Sequence, residues 1–397
     1  NTFTLEAPQN NGTPGQANST QQNNLGPTFE TFQHAPVIPD ANEMVTVTVA
    51  AADPDGIRSL DLFWRTRNTG SFQRASMVQQ EEHYTATITG HNASTVVQFY
   101  VEAKDTLGAT STFPPAGPDS RALYIVNDNQ AGTGALRTFR FIMFTNEASQ
   151  LFSPINAGSN RFVGATAVDN ETEVFYDVGV KLRGSPIGRT ISSRRNSFNI
   201  SFPAHQLFRG VHDSVILDTS AASGILSEGT SDEVLATHMM NHLGMHVSLY
   251  HDFVYMVMPN NTRNGRAVLG LARYGNQFLQ EQFGVHSDGT VHDFNKTNSL
   301  SQTHDGTIEG FKLNSGTSYQ NQDIEDLGDD KEKYRWNFQL SNQRDRDDFS
   351  GLIAMAKAFS LSGTALDVAT RETMDMDSWL KTFAFNSLGG NLDIYTV

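Results

Sequence analysis

Residues 45–66, VTVTVAAADPDGIRSLDLFWRT, decide the fold of the first half of the chain. On both sides of the turn Asp53–Gly56, apolar residues alternate with polar ones: Val45, Val47, Val49, Leu60, Leu62 and Trp64. A period of two places every second side chain on the same face of a strand, so the pattern indicates strands with one buried face. Aspartate, proline and glycine between them favour a turn. The stretch therefore predicts two half-buried strands joined by a turn.

The same alternation continues further along the chain. It returns in HYTATITG, residues 83–90, and in TVVQFYVEAKDTLG, residues 95–108, where glycine and aspartate again separate the segments. Short strands without an intervening helix are typical of an antiparallel sandwich of about 100 residues. We therefore predict an immunoglobulin-like or fibronectin-like β-sandwich over residues 29–127. Residues 1–28 are rich in polar residues and glycine and have no apolar period, which predicts a linker or the trailing edge of another domain.

A second domain is predicted after a polar joint at residues 128–136. Strand-like alternation continues as far as SFNISF, residues 197–202, and the apolar period then changes to that of helices. The polar, acid-rich residues 284–330 are expected to form a surface insertion. Residues 137–397 are therefore predicted to form an α+β domain whose strands precede its helices, so the whole chain is predicted to be multidomain.

Three helices of this second domain have recognisable ends. Thr230 and Glu233 have the spacing of a capping box, and Gly244 follows as a stop signal. Residues 345–363 and 376–390 also combine a helical apolar period with terminal glycines. The residues predicted for these helices' apolar stretches are Val234, Leu235, Met239, Leu243, Leu352, Ile353, Met355, Ala356, Phe359, Trp379, Leu380, Phe383 and Leu388.

The overall composition excludes several classes of function. The chain has 28 Lys and Arg against 43 Asp and Glu, a formal net charge of −15, and such a surface repels nucleic acid. It contains no cysteine, which excludes disulfides, thiolate metal sites and a cysteine nucleophile. No stretch approaches the roughly 20 apolar residues that cross a bilayer. The lack of cysteine and the abundance of Asn, Thr, Gly and Ser favour a secreted or cell-surface protein.

Three regions of the second domain carry a family resemblance. They are VKLRGSPIGRTISSRRNSFNISF at 180–202, SDEVLATHMMNHLGMHVSLYHDFVYMVMPNN at 231–261, and the pair of segments at 342–359 and 374–395, which ends in GGNLDIY. In this order they resemble the spore-coat protein H (CotH) kinase family, whose members are atypical protein kinases with a divergent kinase-like fold. The resemblance covers residues 137–397. The preceding sandwich and linker resemble modules that accompany this domain in large secreted bacterial proteins, often after a lamin-tail-like domain.

The resemblance implies roles for four residues. Phosphoryl transfer needs a cation on the nucleotide phosphates, groups that hold metal, and a base beside the acceptor hydroxyl. Arg183 and Arg195 are implied to bind ATP, Asp393 to be the catalytic base, and Asn391 to orient it or to hold Mg²⁺, with a protein Ser or Thr as acceptor. Judged without the resemblance, the arginines also fit surface ion pairs, and Asp393 also fits an Asx turn.

The chain departs from the family pattern in two places. Where the family usually has a glutamate that could pair with the phosphate-binding cation, this chain has Ala272 and Arg273, although Glu281 lies nearby in sequence. The family's second acidic motif, which would bind metal, follows the point at which this chain ends, Val397. We therefore expect a C-terminally truncated, inactive catalytic centre without bound nucleotide. We also expect another copy or another chain to cover the edge at residues 389–397, or poor order there.

Other candidate side chains have simpler interpretations. His238, His242 and His246 follow each other at intervals of four, a spacing that could chelate Zn or Ni on a helix. The predicted helix ends before the third of them, so solvated histidines are the favoured interpretation. Asp375 and Asp377 are interpreted as helix caps.

A function without catalysis stays open as the alternative. A secreted scaffold, surface or filament protein could keep a degenerate kinase-like domain that has lost its site. Such a protein would act through self-association or protein partners. Sequence beyond Val397 would separate the two hypotheses, because a continuation with paired aspartates would favour the kinase.

Overall fold

The computed structural model divides the chain into two compact units. The first comprises Asn1–Ser149, Val163–Gly179 and Met256–Asn261, and the second comprises Gln150–Phe162, Val180–Tyr255 and Thr262–Val397. The residues that the structure describes are 24–132, 134–153, 156, 159, 161–183, 196–219, 229–245, 249–271, 274–294, 299–302, 308–312, 324–335 and 337–389. The predicted boundary at residues 128–136 stays a prediction.

The first unit begins with two antiparallel sheets. Their strands are β1 (Thr28–Ala35), β2 (Val45–Ala52), β3 (Ile57–Arg65), β4 (Gln73–Ser76), β5 (Val78–Gln80), β6 (His83–Ile88), β7 (Val96–Asp105), β8 (Thr110–Phe113) and β9 (Leu123–Ile125). One sheet has the order β1-β2-β6-β5 and the other the order β4-β3-β7-β8, with β9 also paired to β7. Each of these pairings is antiparallel.

Both sheets contribute to one hydrophobic core. Its buried residues include Val45, Val47, Val49 and Ile88 from the first sheet, and Leu60, Leu62, Trp64, Val97, Phe99 and Val101 from the second. Each fully buried aliphatic or Phe side chain of this size contributes about 1.5–3 kcal/mol. The alternating residues of the opening stretch are the ones that are buried, so the prediction of antiparallel strands with one buried face is confirmed. The immunoglobulin-like or fibronectin-like assignment stays a prediction.

A buried histidine lies among the aromatic residues of this unit. The His34 ring is 5.2 Å from the Tyr124 ring and 5.4 Å from the Phe99 ring. Its Nε2 lies 3.0 Å from the Val37 carbonyl oxygen, which can only accept, so Nε2 carries the hydrogen. Nδ1 therefore accepts from the Tyr176 hydroxyl at 2.6 Å. Burial lowers the pKa of His34 to about 4, although the Val37 hydrogen bond acts in the opposite direction.

A buried arginine follows in β10 (Arg137–Ile142). Arg140 is 2% exposed, and its Nη1 donates to both carboxylate oxygens of Asp128 at 2.9 Å. Its Nε donates to the Glu171 carboxylate at 3.0 and 3.1 Å. One cation is thus neutralised by two acids that are distant in sequence, and the polar segment that contains Asp128 is attached to β10.

Seven strands form a closed barrel in the order β10-β11-β12-β13-β14-β16-β15. After β10 they are β11 (Val163–Asp169), β12 (Glu173–Arg183), β13 (Ser197–Ser201), β14 (Ser214–Asp218), β15 (His251–Val257) and β16 (Gly265–Gly270). In β12 the alternate residues Val178, Val180 and Leu182 are buried. The sequence predicted strands in this region, whereas closure into a barrel was not predicted.

The prediction that all strands precede the helices is wrong. Strands β15 and β16 follow the helix α2 (Gly229–His242). Their sequences, HDFVYMV and GRAVLG, contain nearly continuous apolar runs and lack the strict alternation that marks a strand with one solvated face. In β16 every residue except Arg266 is buried. A strand buried on both faces cannot be recognised by a period of two.

The remaining elements belong to the second unit, apart from α1 (Thr145–Leu151), which continues from the first unit into the second. The helices are α3 (Asn276–Phe283), α4 (Lys331–Arg335), α5 (Ser350–Phe359), α6 (Gly363–Thr373) and α7 (Met376–Leu388), and the strands are β17 (His292–Phe294), β18 (Ser299–Gln302), β19 (Ile308–Lys312) and β20 (Phe338–Leu340). Tyr334, Phe338, Leu340, Phe349, Leu352 and Ala356 form a hydrophobic cluster. Among the described residues, no helix is both long and apolar enough to cross a membrane.

The three predicted helices exist, but two of them expose apolar residues that were expected to be buried. These are Leu235, Met239, Leu243, Leu380 and Leu388. Trp379 does pack, with ring contacts to Phe359 and Phe383 at 5.9 and 5.5 Å. The helical period identifies a helix without showing whether another element covers it. Asp375 caps α7 by accepting the Ser378 N–H at 3.1 Å, which confirms the interpretation of this residue as a cap.

We predict that His34 makes the folding free energy depend on pH. Its folded pKa of about 4 lies below the ordinary 6.5, so the unfolded chain binds the proton more tightly. This stability is complete above about pH 6.5 and is lost as the pH falls towards 4, by about 3 kcal/mol in total. Urea unfolding at several pH values should show this slope in the wild type and its loss in His34→Gln. Tyr176→Phe is the control: it removes a hydrogen bond but keeps the histidine, so it should lower the free energy of unfolding and retain the pH slope. A pH slope that is unchanged in His34→Gln would show that His34 is not its source.

We predict that Arg140→Met destabilises the first unit by about 3–5 kcal/mol, because it leaves two largely buried carboxylates without their cation. Urea unfolding followed by circular dichroism measures the loss. Arg58→Ala, which changes an exposed arginine on β3 of the same unit, is the control and should change stability by no more than about 0.5 kcal/mol. Equal effects of the two substitutions would show that the buried ion cluster contributes little.

Candidate functional site

An ion pair joins two strands of the barrel at the position where the sequence predicted a phosphate-binding cation. Arg183 is the last residue of β12, and Asp218 is the last residue of β14. The Arg183 Nη1 donates to the Asp218 Oδ2 at 2.6 Å. The Arg183 side chain is 36% exposed and the Asp218 side chain 16% exposed. The pair is therefore accessible to a dissolved ligand from the arginine side.

A serine on the intervening strand holds the acid of this pair. Ser197 is the first residue of β13 and directly precedes Phe198, which is paired with Leu217 of β14. Its hydroxyl donates to the Asp218 Oδ1 at 2.9 Å and accepts the Thr219 N–H at 3.0 Å. Arg183 and Ser197 thus donate to different oxygens of Asp218, which fixes the plane of its carboxylate.

A histidine lies close enough to this pair to interact with it electrostatically. Burial lowers the pKa of His251, Asp218 opposes that change, and Arg183 reinforces it. The His251 Nδ1 lies 2.9 Å from the Thr237 Oγ1. A Cβ added at Gly270 would lie 3.5 Å from the His251 Nε2, an ordinary van der Waals distance, so the imidazole lies beside this residue of β16.

A buried arginine holds the side chain of Asn196, the residue that precedes Ser197. The Arg263 Nη1 donates to the Asn196 Oδ1 at 2.6 Å, and its guanidinium carbon lies 3.8 Å from the centre of the Phe152 ring. Only 8% of Arg263 is exposed. Burial lowers the pKa of this guanidinium, which still carries its charge at neutral pH.

The other three predicted site residues lie outside the described part of the chain. They are Arg195, Asn391 and Asp393. The same holds for the departures from the family pattern, Ala272 and Arg273, and for the edge at residues 390–397 where we expected an assembly contact. Arg183 is thus the one predicted site residue whose surroundings the structure describes.

The acid that pairs with Arg183 was not identified from the sequence. Glu281 was left open as a stand-in for the family's glutamate, and on α3 its carboxylate accepts from the Gln277 Nε2 at 3.0 Å and lies 3.7 Å from the His212 Nδ1. In the structure Arg183 pairs with Asp218. Its sequence signal is weak, a single acid after the buried apolar run VIL of β14, and only the pairing of β13 with β14 brings it to Ser197.

The predicted histidine group is described only in part. His238 and His242 are exposed on α2, and their rings are stacked with centres 6.4 Å apart. His246 lies outside the described residues. Within the described residues, the group of three side chains whose ligand atoms approach within 4.8 Å of one another consists of aspartates in the sandwich, not of these histidines.

That aspartate group comprises Asp53, Asp55 and Asp105. Burial raises the pKa of Asp105, but hydrogen bonds from the Asn24 side chain and from backbone N–H groups, including Gly108, outweigh this effect and lower it. These contacts close the turn between β7 and β8. Turn formation therefore accounts for the position of Asp105.

The contacts of the second unit form a polar site around Asp218. It contains a partly exposed guanidinium, a carboxylate with a fixed orientation, and an imidazole whose pKa depends on both. A guanidinium has five N–H donors, so one arginine can bind a carboxylate and an anionic ligand together. This arrangement suits the binding of an anion such as a phosphate group.

Comparisons with known proteins add little to this geometry. No family model matches the chain, and no curated protein matches it. One solved structure that was found is titled "Crystal structure of Br derivative BhCBM56". It has 17% sequence identity and a TM-score of 0.15, and the match covers 17% of this chain and 71% of that one. A similarity of this size carries no argument about the fold or the ligand of this chain.

Proposed function

We propose that the chain is part of a secreted atypical kinase of the CotH type, which uses ATP and Mg²⁺ to phosphorylate Ser or Thr of a protein. The proposal also includes a divergent kinase-like fold for residues 137–397. The family resemblance of three regions motivates it, and the contact between Arg183 and Asp218 is the observation that supports it most directly.

The Arg183–Asp218 pair supports the proposal because kinases need a cation of this kind. In protein kinases the lysine that contacts the ATP phosphates is itself held by a glutamate, and the ion pair keeps the cation in place. Asp218 can hold Arg183 in the same way, since its carboxylate is oriented by Ser197. The pair thus supplies an acidic partner that the sequence lacks at Ala272 and Arg273.

The remaining roles in the proposal rest on the resemblance. Arg195, at the position where the family usually has lysine, is proposed to bind the ATP phosphates together with Arg183. Asp393 is proposed as the base that accepts the proton of the acceptor hydroxyl, and Asn391 as the residue that orients it or holds Mg²⁺. Bound Mg²⁺ would neutralise charge on the transferred phosphate.

The alternative is a secreted scaffold that has kept a kinase-like domain without its chemistry. One observation favours it: Arg183 already has a carboxylate partner within the fold, as in an ordinary structural ion pair. In this alternative the ion pair of Arg183 and Asp218 only stabilises the barrel. Measurement of nucleotide binding distinguishes the two functions.

We predict that the full-length protein binds ATP through Arg183. Arg183→Ala should raise the Kd for Mg-ATP roughly tenfold to hundredfold, because it removes a charged hydrogen bond worth about 1.5–3 kcal/mol. Asp218→Asn should have a smaller effect of the same sign, since it leaves the guanidinium present but less well held. Isothermal titration calorimetry gives the three affinities.

A matched control comes from Arg209, which pairs with Asp252 at 3.1 Å and is similarly exposed. Arg209→Ala should leave ATP affinity unchanged. If the full-length wild type does not bind ATP, or if Arg183→Ala binds it as tightly as the wild type does, the kinase proposal fails and the scaffold takes its place.

We predict that Asp393 is required for phosphoryl transfer in the protein as the cell makes it. Asp393→Asn should lower the rate of phosphate transfer from radiolabelled ATP to a protein acceptor roughly 10²-fold to 10⁴-fold, the contribution of a general base. Asp377→Asn, which changes an acid of the first turn of α7, is the control and should retain activity. Full activity in Asp393→Asn would remove this aspartate from the mechanism.

A further inference from the structure

Arg263 is buried far more deeply than a positive charge usually is. It follows Asn261 and Thr262 in a short 3-10 turn, and its guanidinium lies against the face of Phe152. Burial of a cation has a large desolvation cost, which apolar side chains of similar volume avoid. A buried arginine at this place therefore suggests a role beyond filling space.

The contacts of Arg263 lead to the candidate site in three steps. Its Nη1 holds the Asn196 side chain, and Asn196 directly precedes Ser197 in the chain. The Ser197 hydroxyl holds the Asp218 carboxylate at 2.9 Å. Asp218 in turn holds the Arg183 guanidinium at 2.6 Å. All these side chains except Arg183 are buried or nearly buried, so each has little freedom to move independently.

We propose that Arg263 is a positioning residue for Arg183: by holding Asn196 it fixes the start of β13, and thereby the Ser197–Asp218 contact that orients the phosphate-binding guanidinium. The inference rests on the proposed function for its consequence in ATP binding, but the link between Arg263 and Arg183 can be tested without nucleotide. Lysine cannot replace Arg263, because it lacks both the flat face that stacks on Phe152 and the rigid fork of donors.

The first test uses the reagent phenylglyoxal, which modifies accessible guanidinium groups. Peptide mass spectrometry gives the modification rate of Arg183 in the unliganded protein. In Arg263→Met that rate should rise roughly threefold or more, because the guanidinium loses its fixed carboxylate partner. Arg263→Lys, which keeps the charge, should show the same rise. The rate at Arg209 in the same samples is an internal reference and should not change.

The second test is a double-mutant cycle in the full-length protein, with ATP binding as the readout. Arg263→Met should raise the Kd for Mg-ATP about tenfold when Arg183 is present and about twofold or less in the Arg183→Ala background, since the two act through one path. Arg266→Met, an exposed residue of β16 close in sequence, is the control and should leave the Kd unchanged. Circular dichroism identifies variants that do not fold, in which case Arg263→Lys carries the test.

The outcomes separate this inference from the proposed function. If the wild type does not bind ATP while Arg263→Met and Arg263→Lys both increase the reactivity of Arg183, the positioning role stands and the kinase proposal falls. If the wild type binds ATP but neither the reactivity of Arg183 nor the Kd changes in either variant, the positioning role is overturned. An equal loss of affinity with and without Arg183 also overturns it, because Arg263 would then act on stability alone.

Discussion

A buried charge costs free energy unless it is paired, and this constraint governs where the large buried polar side chains of both units lie. Strands that hide alternate side chains supply most of the stabilising burial. They also bring polar residues into places from which water is excluded. Arg140 is therefore enclosed by two carboxylates, and His34 stays neutral between a hydroxyl and a carbonyl. Each such group ties together segments that are far apart in the sequence.

The same constraint explains why Asp218 is the centre of the candidate site. A carboxylate at the end of a buried strand needs donors, and the barrel provides Ser197 from β13 and Arg183 from β12. Only the arginine extends towards solvent. The contact is a structural ion pair within the barrel, and it also keeps the Arg183 guanidinium in one position. Binding of an anion to this guanidinium would give the pair a function besides stabilising the barrel.

The site shows how far the sequence could predict a function. Arg183 was identified because it lies in a region that resembles a kinase family, and the structure places it in a polar cluster. Asp218 and Arg263 were not identified, since neither belongs to a recognised motif, and Ser197 was not singled out within its region of resemblance; each matters only through a partner on another strand or turn. Local sequence carries no information about such pairings until the order of strands in the barrel is known.

For the fold, the sequence by itself determined the antiparallel strands of the sandwich, the core residues between Val45 and Trp64, the existence of three helices, and the Asp375 cap of α7. These features depend on local periodicity and on turn and cap residues, which act over a few positions of the chain. Tertiary structure alone decided the closure of the barrel, the burial of β16 on both faces and the exposure of Leu388, which is 90% exposed at the end of α7. The physical reason is that burial depends on what packs against an element, and that partner comes from elsewhere in the chain.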